Sequence, residues 1–225
     1  MRGKFIVIEG TDGAGKSTHL NLAVDKLRAE GKAVEVVDFP QYGKKSAGPV
    51  EEYLNGKYGS ASEVSPYAAS LLYAVDRFDA SFQMRAALDA GTLVLANRYV
   101  SSNFAYQGAK IADKSERQKF LFWHEELEYG ILKLPRPDII IFLHVPAEIS
   151  FELVAKKAQR AYIENGKKRD IHETDLAYQK SVEQAYLELA GHDATVRTIE
   201  CAPGGTLLTI EEIHPLVMNI INATI

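Results

Sequence analysis

The chain has 225 residues, 46% of them apolar and 25% charged, with a formal net charge of −4. This is an ordinary globular composition, and its acidic balance speaks against broad nucleic-acid binding. Cys201 is the single cysteine, so an internal disulfide is excluded, and no apolar run approaches the ~18 residues of a membrane span. We expect one domain over residues 1–225 in a reducing compartment. Because the first strand begins almost at the N-terminus, we also expect a cytoplasmic protein with no membrane or nucleic-acid partner.

The first apolar run, Phe5–Ile8, reads as a buried strand. It leads directly into Gly10, Thr11, Asp12, Gly13, Ala14, Gly15, Lys16, Ser17 and Thr18. The pattern Gly-x4-Gly-Lys-Ser between a strand and a helix is a phosphate loop: glycines let backbone N–H groups curl around phosphate oxygens, Lys16 reaches the β/γ-phosphates, and the Ser17 hydroxyl can ligate a metal ion. An amphipathic helix follows through Leu20, Ala23, Val24 and Leu27, and its dipole adds a positive end at the same place. The chain therefore binds a nucleoside triphosphate.

Further strands are expected at Val34–Val37, Leu93–Ala96, Ile139–Leu143 and Val196–Ile199, with helices near 64–90, 114–130, 147–158, 171–190 and 209–222. Alternation of this kind implies an α/β fold of βαβ units, a five-stranded parallel sheet covered on both faces. Three clusters lie at or soon after strand ends or in the next helix, where such sheets form ligand crevices. Asp38, Phe39, Pro40, Gln41, Tyr42 and Gly43 form a turn flanked by aromatics. Tyr73 and Arg77 share a helix face, where a ring and a guanidinium could stack on a base and bond its edge, although the spacing alone favours a core tyrosine and a surface arginine. Arg98, just past a buried strand, is placed to clamp a phosphate, and Ser101, Asn103, Tyr106 and Gln107 supply polar side chains behind it. Residues 155–170 carry six basic residues against two acids. Such a stretch can be a solvated helix end; beside a phosphate loop in an acidic chain we read it as a mobile lid.

Together, the Asp-Gly-Ala-Gly-Lys-Ser-Thr loop, the Phe39-Pro40 turn, Leu-Leu-Tyr-x3-Arg ending at Arg77, and Arg-Tyr-x2-Ser-x3-Tyr-Gln starting at Arg98 resemble the thymidylate kinases. The likeness runs from residue 4 to about 190. It implies a three-layer sandwich of the P-loop NTPase, nucleoside monophosphate kinase type, and transfer of a phosphoryl group from ATP to dTMP with Mg2+, with Ser17 as the metal-facing residue. It also implies a homodimer. Lys16, Asp12 and Arg98 would be catalytic and residues 10–18 would hold ATP. The acceptor site would take Asp12, Phe39, Pro40, Tyr42, Tyr73, Arg77, Arg98, Ser101, Asn103, Tyr106 and Gln107: Tyr73 stacks on the base, Arg77 bonds a base carbonyl, Asn103 meets the base edge and Tyr106 packs under the sugar.

Relatives with arginine after the loop acid differ from those with glycine there and arginines in the lid. Gly13 resembles the second kind, which makes Arg160 and Arg169 the candidates, with Lys167 and Lys168 weaker choices. Two positions depart from the family pattern: Asn97 stands where Asp usually precedes Arg-Tyr, and His144 stands where Asp is common. The first weakens or relocates metal placement; the second reads as a structural, hydrogen-bonded histidine. The alternatives are a related kinase with another acceptor, or a nucleotide-binding switch. No guanine-reading Asn-Lys-x-Asp is present to support the switch.

Overall fold

The computed structural model describes residues 2–165 and 175–225. Its elements are β1 (Phe5–Glu9), α1 (Lys16–Ala29), β2 (Val34–Asp38), α2 (Gly48–Leu54), α3 (Pro66–Asp89), β3 (Leu93–Asn97), α4 (Val100–Gly108), α5 (Lys114–Glu125), β4 (Ile139–His144), α6 (Ala147–Asn165), α7 (Leu176–His192), β5 (Val196–Glu200) and α8 (Ile210–Thr224). The strands form one sheet in the order β2-β3-β1-β4-β5, every pair parallel. β2 and β3 lie on one side of β1 and β4 and β5 on the other, so the loop after β1 lies where the strand order reverses. That is the place at which an open parallel sheet leaves a crevice.

Strand periodicity divides the core. Phe5 and Val7 face a cluster that includes Met84, Val100, Tyr106 and Tyr186, while Ile6 and Ile8 face one with Leu20, Val24, Val217 and Ile221. Helices α3, α4 and α7 thus cover one face and α1 and α8 the other, which gives the expected three layers.

The expected elements differ from the observed ones in four places, one being α6, which runs past the expected 158 to Asn165. Helix α2 had no distinct signal. The polar cluster after Arg98 is helix α4, with Tyr99 at its N-cap. The expected 114–130 helix breaks into α5 and a π-helical turn, Glu126–Ile131. Of the expected lid, residues up to Asn165 continue α6; Arg169, Lys167 and Lys168, and the side chain of Arg160, lie outside the described residues.

Candidate active site at the phosphate loop

Gly15 caps α1 in the left-handed region at φ 82°, a conformation that favours glycine. Lys16 follows, only 7% exposed, and its ammonium donates to the Thr11 carbonyl at 2.8 Å. Burial first, then Arg98, pull the Lys16 pKa down to about 7, against Asp12, Glu9 and Asp38. A triphosphate brought to this loop restores the charged form by adding negative charge. Gly13 has φ +88°, and a Cβ there would lie 2.7 Å from the Ser150 carbonyl on α6. No arginine fits at this position without displacing the helix that leads to residues 155–165.

Glu9 ends β1 fully buried, and reading the sequence gave it no role. Its carboxylate accepts from the Tyr99 N–H (2.9 Å), the Ser102 N–H (3.1 Å), the Ser101 hydroxyl (2.7 Å), the Ser102 hydroxyl (2.7 Å) and the Tyr186 hydroxyl (2.8 Å). The buried charge is thus fully hydrogen-bonded, and it fixes the start of α4 to β1. Ser101, expected at the acceptor, spends its hydroxyl on this anchor and is 3% exposed.

Arg98 joins β3 to α4 with φ +63°, an uncommon conformation for a residue with a side chain. Its guanidinium pairs with Asp12, lies 3.3 Å from the Ser102 hydroxyl and sits 5.1 Å over the Tyr106 ring. The Tyr106 hydroxyl donates to Asp12 at 2.7 Å. Burial disfavours the Arg98 charge, but Asp12 and its neighbours outweigh it and hold the pKa well above the ordinary value. Three expected residues from two separate motifs therefore form one network at the crevice.

Asp38 and Asn97 are direct register partners at the ends of β2 and β3. The Asn97 amide donates to Asp38 at 2.8 Å and to the Ser17 hydroxyl at 3.2 Å. Among the described residues, no group of three or more His, Cys, Asp or Glu is arranged to hold a metal.

The base-side candidates come from α3 and α4. Arg77 is 2% exposed and Glu128 is 0% exposed. Glu128 receives Nε of Arg77 at 3.1 Å and Nη2 in a second, shorter bond. His124 Nε2 lies 3.0 Å from Glu128 and 2.8 Å from the Asn103 amide. Arg77 and Asn103 thus belong to one buried chain, Arg77–Glu128–His124–Asn103, whose two middle members reading the sequence did not find. Tyr73 meets Tyr53 edge-on at 6.2 Å. Gln107 is 1% exposed with an unpartnered Oε1. Across the crevice, the Phe39–Pro40 peptide is cis, Phe39 packs on Tyr99, and Tyr42 is 65% exposed. Asp76, the neighbour of Arg77, accepts from the Gln41 N–H (2.8 Å) and the Ser46 hydroxyl (2.7 Å), tying the turn to α3.

His144 lies outside this site. Its Nε2 is 2.9 Å from Glu183 on α7 and its Nδ1 is 2.5 Å from Glu200 on β5, while Glu183 also accepts from the Ala147 N–H at the start of α6. This is the structural histidine the sequence suggested. Burial works against its charge, but bonds to Glu183 and Glu200 prevail and raise its pKa. A raised folded-state pKa gives stability that is fully present below the ordinary histidine value of about 6.5 and is lost as pH rises through the folded value. The melting temperature of the wild type should exceed that of His144→Gln most at about pH 6, and the gap should shrink toward about pH 9. A gap independent of pH would contradict the pairing.

The chain matches the family pattern described as Thymidylate kinase over residues 8–207. It is 36% identical to the thymidylate kinase of Mycobacterium tuberculosis strain H37Rv over 187 residues, 83% of this chain and 85% of that one. It is 30% identical to the zebrafish (Danio rerio) thymidylate kinase over 215 residues, 95% and 87% of the two chains. A solved thymidylate kinase from Candida albicans superposes with a TM-score of 0.71 at 26% identity, covering 99% of this chain and 92% of that one. With the phosphate loop at the sheet's switch point and an arginine network beside it, these likenesses make the chain a member of the thymidylate kinase family, an enzyme that phosphorylates dTMP to dTDP with ATP.

Proposed function

We propose that the crevice between the phosphate loop and α4 carries this reaction through the following residues, with Mg2+ as the cation. The observation that supports the reading is the Arg98–Asp12–Tyr106 network beside Lys16. Residues 10–18 cradle the phosphates of ATP, and Lys16 gives its donors to the β/γ-oxygens. Arg98 exchanges part of its bond to Asp12 for the dTMP phosphate, holding it in a fork. Tyr106 packs against the deoxyribose, Tyr73 stacks on thymine, and Phe39, Pro40 and Tyr42 line the pocket. Glu128 occupies Nε and Nη2 of Arg77, which leaves Nη1 to bond a thymine carbonyl beside Asn103. Gln107 offers a buried acceptor to the nucleoside, and Ser101 acts one step back by holding Glu9.

An oxygen of the dTMP phosphate attacks the γ-phosphorus, the bond to the β,γ-bridging oxygen breaks, and ADP leaves with the electron pair. No general base is needed, because the acceptor is already an anion at neutral pH. Alignment and charge neutralisation carry the rate. The Ser17 hydroxyl and the unpartnered buried Oδ1 of Asn97 suit a hydrated hard cation. A bound Mg2+ adds neutralisation of the β- and γ-phosphate charge.

Arg160 and Arg169 meet the transferring group from a basic lid over about 155–170, since Gly13 leaves no room for a loop arginine. Removing either should lower kcat by about 10²-fold or more with little change in dTMP affinity, because such groups act on the transition state. Single-turnover kinetics and dTMP titration check this; normal turnover in both variants would remove the lid from the mechanism.

We further propose a cytoplasmic homodimer that forms through α3. Tyr67, Leu71, Val75, Phe78 and Phe82 are 37–60% exposed and recur at helical spacing along one stripe. Sedimentation of Val75→Glu/Phe82→Glu as a monomer, against a wild-type dimer, tests this.

A further inference from the structure

We propose that Asp38, at the end of β2, supplies the carboxylate of the divalent-cation site, and that Asn97 serves as the bridge joining it to Ser17. The inference deepens the reading of the phosphate loop as a metal-nucleotide site and rests on it.

Three carboxylates act electrostatically on Lys16: Asp12, Glu9 and Asp38. Glu9 is fully buried and saturated by five donors. Asp12 is paired with Arg98 and receives the Tyr106 hydroxyl. Asp38 is different. Its residue is exposed at the sheet's C-terminal edge, and it makes no ion pair among the described residues. Its side-chain partner is the neutral amide of Asn97. A carboxylate held beside a phosphate loop without a cation is unfavourable for polyphosphate binding unless a cation comes with the phosphates.

The amide ties this carboxylate to the metal-facing hydroxyl. Asn97 is 7% exposed, and its single Nδ2 reaches Asp38 Oδ1 at 2.8 Å and Ser17 Oγ at 3.2 Å. Its Oδ1 is buried with no partner, an omission that costs free energy unless a donor arrives. A water on a bound cation is such a donor. Asp38 and Asn97 are register partners on adjacent parallel strands, and Ser17 is joined to Asp38 through the Asn97 amide. One acid and one amide are present, and it is the acid on β2 that carries the charge.

The exchange suggests its own test. Mn2+ binding to the enzyme–ADP complex is measured from the electron paramagnetic resonance signal of free Mn2+, and ADP binding is measured separately in EDTA. Asp38→Asn should weaken Mn2+ binding by about tenfold or more while leaving metal-free ADP affinity the same or tighter. The reciprocal double variant, Asp38→Asn with Asn97→Asp, should return Mn2+ affinity to within about threefold of wild type, which a purely structural role for Asp38 would not produce. Unchanged Mn2+ affinity in Asp38→Asn, an equal loss of ADP affinity in EDTA, or a double variant that stays weak while its melting temperature is normal would each overturn the assignment. A wild-type protein that forms no Mn2+–ADP complex would instead overturn the underlying reading of the loop.

Discussion

Arg98→Ala should lower kcat/KM for dTMP by about 10²–10³-fold, the usual consequence of deleting a donor aimed at transition-state charge. The guanidinium is held between Asp12, Ser102 and the Tyr106 ring, so its position is set before any substrate arrives. Truncation removes the proposed phosphate fork and also takes the guanidinium charge away from Asp12, whose carboxylate then faces the incoming anion. Arg98→Lys should recover part of the loss, since lysine restores a point charge but not the two parallel bonds. Steady-state kinetics on both variants checks this. Alanine and wild type of equal kcat/KM would remove Arg98 from the acceptor site. Folding should be little affected, because the anchor of α4 to β1 runs through Glu9 rather than Arg98.

The largest loss of stability should come from Glu128→Ala, about 3–5 kcal/mol, because it strands the Arg77 guanidinium in the interior. Arg77 is 2% exposed and Glu128 0%. Burial disfavours the Arg77 charge, yet Glu128 holds its pKa above the ordinary value. Replacing both partners by apolar residues, as in Arg77→Met/Glu128→Leu, removes the stranded charge along with its partner. Such exchanges are often neutral or stabilising. Urea unfolding should therefore show a severe defect in Glu128→Ala that is largely repaired in the double variant, while dTMP binding stays lost because Arg77 is gone. A Glu128→Ala protein with near wild-type stability would contradict the buried pair.

How legible these residues were depends on how local their signal is. The strand–loop–helix from Phe5 to Leu27 was readable because glycine spacing, a buried strand and an amphipathic helix all occur within one short segment. Tyr73, Arg77, Arg98, Asn103 and Tyr106 were found as motifs, and the structure joins Arg98 to Tyr106 through Asp12. The partners that hold them were not legible. Glu9 ends an apolar strand and looks like the first solvated residue; its five donors come from residues 99, 101, 102 and 186. Glu128 lies in the acidic run Glu125-Glu126-Leu127-Glu128, which resembles a surface helix. Only the spacing Phe120, His124, Glu128, a stripe four residues apart that is buried throughout, hinted that it turns inward. The π-helical turn at Glu126–Ile131 has no pattern of its own at this length. Asp38 was read as part of a turn, because its pairing with Asn97 exists only once β2 and β3 lie side by side. Gly13 shows the reverse case. Its lack of a side chain was noted in the sequence, and the structure gives the reason in the Ser150 carbonyl of α6.

In the proposed arrangement, one crevice joins the triphosphate loop to a pocket for a thymine monophosphate. The most direct test is product analysis with Mg2+ and ATP against dTMP, dUMP, dCMP and dGMP in parallel. dTDP and ADP should form in equal amounts, with kcat/KM for dTMP well above those for dCMP and dGMP. Efficient phosphorylation of dCMP or dGMP with no dTDP formed would contradict it.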